Sequence, residues 1–230
     1  VALLARREAA MVQWVSEQGV SADRVRVYGA DVRDDAQVLQ AAQRCLAEMG
    51  VPDVVVANAG ISIGMDTGVR TDLDVMQRTF ATNNLGLAAT FHPFVRAMEQ
   101  RGSGRLVGIG SVAGIRGLPG HGAYCASKAA VIAYCESLRG ELRASGVQVV
   151  TICPGYIDTP LTRQNRYSMP FLMRPEVFAD KAFDAVQRGD RYRVIPWQMG
   201  WVAKMLRALP DAWFDRVLAG RPRKRRADEA

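Results

Sequence analysis

The residues with the clearest chemical use are Ser111, Tyr124 and Lys128, the last two within the run Ala123-Tyr-Cys-Ala-Ser-Lys. Residues four apart on a helix share a face, so the Tyr124 phenol and the Lys128 ammonium are placed to act on one small volume. A phenol titrating near ~10 is a poor acid or base at neutral pH, and bringing it to about 7 takes roughly 4 kcal/mol. One ammonium at about 4 Å in an effective dielectric near 20 supplies an energy of that size. Tyr and Lys four apart also occur by chance on many helices, and the pair alone is more often surface decoration than catalysis. Ser111 shifts that balance. It ends a predicted strand at the carboxyl edge of a parallel sheet, where such folds put their ligands, and its hydroxyl can hydrogen-bond a substrate carbonyl.

Those side chains need a scaffold that brings a strand end beside a helix face. Short β-branched runs alternate with longer segments of helical period, the pattern of an α/β doubly wound parallel sheet of Rossmann-like type. Strands are predicted at 1–5, 25–28, 54–57, 105–110, 148–153 and 191–195. Helices are predicted at 8–18, 34–49, 72–100 and 123–144, with a further one from about 175. Asp34 and Gln37 have the spacing of a capping box. Such a sheet normally opens with a central strand, a glycine-rich turn and a helix N-terminus for a pyrophosphate, and no such unit precedes Val1. The expectation is a fragment without its first βα unit, lacking roughly thirty upstream residues, that would aggregate and fail to bind cofactor by itself.

With 230 residues, 49% of them hydrophobic, the chain can bury one full core, and no composition break marks a second domain. A single domain is expected over 1–220, followed by a basic, disordered tail over 221–230. The longest apolar runs, such as 54–57 and 147–153, fall far short of the ~20 residues that cross a bilayer. Cys45, Cys125, Cys135 and Cys153 form no CxxC pair and there are two histidines, which argues against a metal site and for a reducing cytoplasm. Cys125 and Cys135 are expected to pack, as is His92 at a helix face. The formal charge is +7, of which the tail supplies +3 through Arg221, Arg223, Lys224, Arg225 and Arg226 against Asp228 and Glu229. The rest is only mildly basic and carries no nucleic-acid signature, so no nucleic-acid partner is expected.

Ahead of the tail lie two apolar groups at helical spacing. Trp201, Val202, Met205, Leu206 and Leu209 form one, and Trp213, Phe214, Val217 and Leu218 the other, with Pro210 between them. This order can dock on an anionic membrane surface. Apolar helical stripes are more often core, so capping of a pocket or contact with a partner subunit is the favoured reading.

Serine, Y-x-x-x-K pair and their order along the chain resemble the short-chain dehydrogenase/reductase family. Further motifs agree: Ala57-Asn58-Ala59-Gly60 is similar to its N-A-G turn, and Asn83-Asn84-Leu85-Gly86 to its N-x-x-G element. The resemblance covers positions 1 to about 160 and departs from the family in lacking the opening T-G-x-x-x-G-x-G. It implies Tyr124 as acid/base, Lys128 lowering its pKa and holding the nicotinamide ribose, and Ser111 orienting the substrate oxygen. It makes Asn83 the fourth catalytic residue, bending its helix and completing a proton relay. Cofactor contacts are implied at Asp31 and Val32 for the adenine, at Asn58, Ala59 and Gly60, and at Pro154, Gly155, Ile157 and Thr159 for the nicotinamide. Arg6 and Arg7 follow the strand whose end reads the adenosine ribose, and with no acid there NADP(H) is favoured over NAD(H). His121 and Leu161 are expected to line the substrate pocket. Leu161, Tyr167, Met169, Phe171, Leu172 and Met173 would make it apolar, implying a hydrophobic carbonyl or alcohol substrate. Helices 72–100 and 123–144 are those through which the family forms homodimers or homotetramers. The alternative is a non-catalytic NADP(H)-sensing protein of the same fold, which would have little reason to keep the four residues together.

Overall fold

The computed structural model describes residues 1–21, 23–163, 165, 167–220 and 222–226. Four parallel strands form the larger sheet: β3 (Val54–Ala57), β4 (Gly104–Ile109), β5 (Val147–Pro154) and β6 (Tyr192–Ile195), in that spatial order. A second parallel sheet pairs β1 (Ala2–Ala5) with β2 (Arg26–Gly29). The described residues thus hold two sheets rather than one continuous one. They are connected by packing: α2 (Asp35–Met49), which follows β2, lies on α4 (Gly86–Arg101), which covers β3 and β4.

Alternation along β4 decides the layers. Leu106 enters a core with Phe91 and Met98 of α4 and Val131 and Cys135 of α5 (Gly122–Glu141). Its neighbour Val107 points the other way, to Val150, Ile152 and the Ala185 and Val186 of α7 (Pro175–Arg188). Both faces of the central strands β4 and β5 are therefore covered, which is why they read as mostly apolar runs, whereas Val56 on β3 and Tyr192 on β6 remain exposed. Gly108 lets α5 come close, since a side chain there would run into the Cys135 sulfur. All four cysteines are buried free thiols.

Local signals set several boundaries. Asp34 caps α2 by accepting from the Gln37 backbone at 3.1 Å, and the Gln37 amide donates back to Asp34 at 2.8 Å. The helix expected over 72–100 is interrupted. A 3-10 turn at Arg70–Asp72 leads into α3 (Leu73–Phe80), and a π-helical turn at Ala81–Leu85 separates α3 from α4. The extra residue in that turn swings Asn83 inward, and insertions of this kind are a recurring feature of functional sites. Gly86, directly after it, packs against Val32 so closely that any side chain would collide with it. His92 is exposed on α4 instead of packed.

The C-terminal stripes are split between exposed and buried faces. Of the stripe on α8 (Trp197–Ala208), Trp201 and Met205 face solvent at 63% and 68% exposure, whereas Met199 and Ala203 are buried. On α9 (Asp211–Leu218) Trp213 and Val217 are exposed and Phe214 is buried. Both helices are held from outside their own segment by Arg116, in the loop after β4. Its guanidinium donates to the carbonyls of Leu206, Arg207 and Leu209, pairs with Asp211 at 2.8 Å, and stacks 3.8 Å from the Phe214 ring centroid. A cation here satisfies the free carbonyls at the end of α8 and complements its dipole. Among the described residues no helix is long and apolar enough to cross a membrane.

Arg116→Ala should lower stability by about 2 kcal/mol, because part-buried charge-assisted bonds to the end of α8 and the contact with Phe214 are removed. Thermal melts and limited proteolysis read it: the first cuts should move into residues 197–218. An unchanged melting temperature would show that Arg116 holds neither helix.

Candidate active site

Parallel strands deliver their C-terminal ends to one edge, and the residues singled out from sequence lie along it. Just past β4, the Ser111 hydroxyl accepts from the Ala113 backbone at 3.1 Å and caps a 3-10 turn at Val112–Gly114. That turn lies flat on α5. A side chain on Gly114 would sit within 2.8 Å of the Lys128 and Ala129 backbone, so only glycine allows the approach. Ser111 is thereby fixed relative to the helix bearing Tyr124 and Lys128.

Lys128 is 6% exposed and its Nζ donates to the Ile109 carbonyl at 2.7 Å, directly at the end of β4. Burial pushes its pKa down to about 8. The Nζ lies 5.8 Å from the Tyr124 ring centroid. Sequence reasoning expects the ammonium to lower the phenol; in this structure burial dominates and raises it, with the Ser111 hydroxyl opposing. The physical reason is that the ring is buried, and desolvation of a phenolate outweighs the Ser111 hydrogen bond. A phenol so placed keeps its proton at neutral pH and is fit to donate it.

Asn83 is almost fully buried at the π-helical turn. Its Oδ1 accepts from the Ile61 backbone at 2.8 Å, and its Nδ2 donates to the Ile61 carbonyl at 3.0 Å and to the Ser127 hydroxyl at 2.9 Å. Ser127 donates in turn to the Tyr124 carbonyl at 2.8 Å. Ser127 went unnoticed in the sequence, although its position between Tyr124 and Lys128 placed it on this helix. The adjoining turn, Asn58, Ala59 and Gly60, is exposed, and a side chain on Gly60 would meet Asn83 Oδ1 at 3.4 Å and Lys128 Nζ at 3.6 Å. The structure therefore brings Ser111, Tyr124, Lys128, Asn83 and Gly60 together.

Next along the edge, Gly155 donates to the Ile195 carbonyl at 2.8 Å and packs against Met199 and Pro196. Beyond it, within the short α6 (Pro160–Arg163) that carries the exposed Leu161, the Thr162 hydroxyl accepts from the Thr159 backbone at 3.1 Å and donates to the Ile157 carbonyl. His121, 7% exposed, packs edge-on to Tyr167 at 5.6 Å, and Tyr167 lies 6.2 Å from Tyr156. Burial, aided by Lys224, pushes the His121 pKa down to about 4, so the ring is neutral near pH 7. Phe171 and Leu172 are exposed.

Arg6, Arg7 and Asp31 stand at the ends of β1 and β2 in the other sheet. Both arginines are exposed. Asp31 is engaged at 2.6 Å by Arg33, which holds its carboxyl down at about 2, with Arg6 contributing. Arg33 was not singled out from sequence, and it adds a third cation to this edge.

A model of the family described as short chain dehydrogenase matches residues 1–169. The chain belongs to the short-chain dehydrogenase/reductase family. With membership comes the coarse activity, NAD(P)-dependent oxidoreduction of carbonyls and alcohols. An uncharacterized oxidoreductase of Myxococcus xanthus is 38% identical over 197 residues, covering 86% of this chain and 76% of that one. The 2-(R)-hydroxypropyl-CoM dehydrogenase of Xanthobacter autotrophicus is 35% identical over 160 residues, 69% of this chain and 63% of its own length. A gluconate 5-dehydrogenase of Burkholderia cenocepacia, solved with NADP and tartrate, superposes with a TM-score of 0.64 at 26% identity, covering 70% of this chain and 63% of that one.

The buried Lys128 makes a stability prediction. Its folded-state value of about 8 lies below the ordinary 10.5, so the charged form costs stability below pH 8 and the cost fades as pH rises towards 10.5. Lys128→Met should therefore be more stable at pH 7 by about 2 kcal/mol, with the advantage shrinking above pH 8. Melting curves from pH 7 to 10 test this, and a variant less stable at pH 7 would contradict it.

Proposed function

We propose that the protein is an NADP(H)-dependent oxidoreductase interconverting a carbonyl and an alcohol on a hydrophobic substrate. The observation that carries this reading is the convergence of the Tyr124 phenol, the Ser111 hydroxyl and the buried Lys128 ammonium at the end of β4. In reduction Ser111 holds the substrate oxygen and the neutral Tyr124 gives it a proton; in oxidation the same phenol takes the proton back. Lys128 stabilises negative charge on the phenolic oxygen as the proton leaves. Asn83 acts by fixing the 60–61 turn against α5.

The residues along the edge fit a dinucleotide. Gly60 leaves open the space beside Lys128 that any side chain would fill, and Lys128 has donors to spare for a ribose. Arg6 and Arg7 would receive a 2′-phosphate, Asp31 and Val32 the adenine, Asn58 to Gly60 the adjoining ribose, and Pro154, Gly155, Ile157 and Thr159 the nicotinamide amide. The nicotinamide, when bound, supplies or accepts the hydride. Two exposed arginines directly after β1 support NADP(H) over NAD(H); of the carboxylates nearby, Asp31 is committed to Arg33, while Glu8 lies against Gly29 at the end of β2.

His121, Leu161 and the aromatic ring of Tyr167 support an apolar substrate wall, with His121 serving as a neutral hydrogen-bonding group. A homo-oligomer is supported by a groove of about 1000 Å³ along α2, α4 and α5, lined by Leu39, Leu85, His92 and Tyr134 and by none of the catalytic four. A cytoplasmic location fits four free thiols.

Tyr124→Phe should cut turnover by about 10²-fold to 10⁴-fold while leaving NADPH affinity unchanged in the whole protein, measured by steady-state kinetics and cofactor titration against a ketone panel. Substantial residual activity would remove Tyr124 from the reaction. Changing Arg6 and Arg7 together to Ala should raise KM for NADPH about tenfold more than KM for NADH. Equal effects would mean that neither arginine reads the phosphate.

A further inference from the structure

The segment 222–226, expected to be a solvated tail, lies against the loop that follows the 58–60 turn; Arg221 and residues 227–230 fall outside the described residues. Gly64 donates to the Arg225 carbonyl at 3.0 Å and pairs in parallel with Arg226, and no side chain could occupy Gly64 without striking the Lys224 and Arg225 backbone. Arg226 closes a buried ion pair on Asp72 at 2.7 Å, and the Arg223 side chain lies over Gly120. Extended backbone sends alternate side chains to opposite sides: Arg223 and Arg225 are exposed, while Lys224 and Arg226 turn inward.

The two inward cations have different partners. Arg226 has a carboxylate, and that pair anchors the segment. Lys224 donates to the Ser62 hydroxyl at 3.0 Å and forms no ion pair among the described residues. Its burial lowers its pKa, with no opposing charge raising it. Desolvating an ammonium against a neutral hydroxyl is unfavourable unless an anion joins it. The position says where that anion comes from. Ser62 is two residues from Gly60, which faces the Lys128 ammonium, and Lys224 also acts on His121, three residues before Tyr124. The nearby wall of Tyr167 and Tyr156 is aromatic.

We propose that Lys224, held over the cleft by the 222–226 segment, binds a carboxylate at the far end of an otherwise apolar substrate, so that the enzyme acts on oxo or hydroxy acids. This rests on the oxidoreductase reading above and adds the substrate class. Arg223 and Arg225 at the rim attract the same anion over longer range.

Two measurements on the whole protein separate the proposal from the reading beneath it. Calorimetric titration with octanoate and with octanamide, in the presence of NADPH, needs no turnover. Octanoate should bind about tenfold tighter, and Lys224→Met should erase the difference while Lys224→Arg keeps most of it. Equal affinity of the two ligands for the unmodified protein would overturn the proposal, whatever the kinetics show. In turnover, 7-oxooctanoate should exceed 7-oxooctanamide in kcat/KM through KM. Lys224→Met should raise KM for the acid about tenfold and leave the amide unchanged. Equal loss on both substrates would mark Lys224 as structural and overturn the proposal. If octanoate binds selectively yet no ketone is reduced with either cofactor, the carboxylate site stands and the oxidoreductase reading fails.

Discussion

An ammonium buried at the end of a parallel strand, with one backbone carbonyl as its protein partner, is the constraint around which the site is arranged. Lys128 can sit beside Ile109 only if α5 lies close to β4 along its length. Gly108 permits that approach beneath the helix and Gly114 above it. The arrangement is costly for folding, as burial without a countercharge is.

The second requirement is that a loop be held rigidly against this helix. The π-helical turn between α3 and α4 meets it by turning Asn83 into the interior, where one amide binds both backbone groups of Ile61 and the hydroxyl of Ser127. Three pieces of chain distant in sequence, the 60–61 turn, the α3–α4 junction and the first turns of α5, become one unit. Such a network fixes catalytic geometry because every member is satisfied by another member.

The C-terminal third is tied to that unit by cations. Arg116 reaches out from the catalytic loop to the end of α8 and to α9, and Arg226 reaches in from the chain end to Asp72. The same basic composition therefore serves two ends. Paired cations fasten the segment, and Lys224, paired only with a hydroxyl, is left over for a ligand.

Strand and helix order, the Asp34 cap, the family and the positions of Ser111, Tyr124 and Lys128 were legible in the sequence, because each depends on spacing within a few residues. The 72–100 segment read as one helix because a π-helical turn leaves hydrophobic periodicity almost intact; only the partners of Asn83, at Ile61 and Ser127, reveal it. For Trp201 and Met205 the stripe left open a pocket cap, a partner contact or a membrane surface, because an apolar face carries no sign of what covers it. Spacing points to a Tyr124 phenol lowered by Lys128, whereas burial of the ring, which spacing does not show, raises it. Sequence by itself determined which groups can do chemistry and the elements that carry them. The tertiary structure alone decided which cations are spent on carboxylates and which remain free, because electrostatic compensation is settled between residues such as Arg226 and Asp72 that lie far apart along the chain.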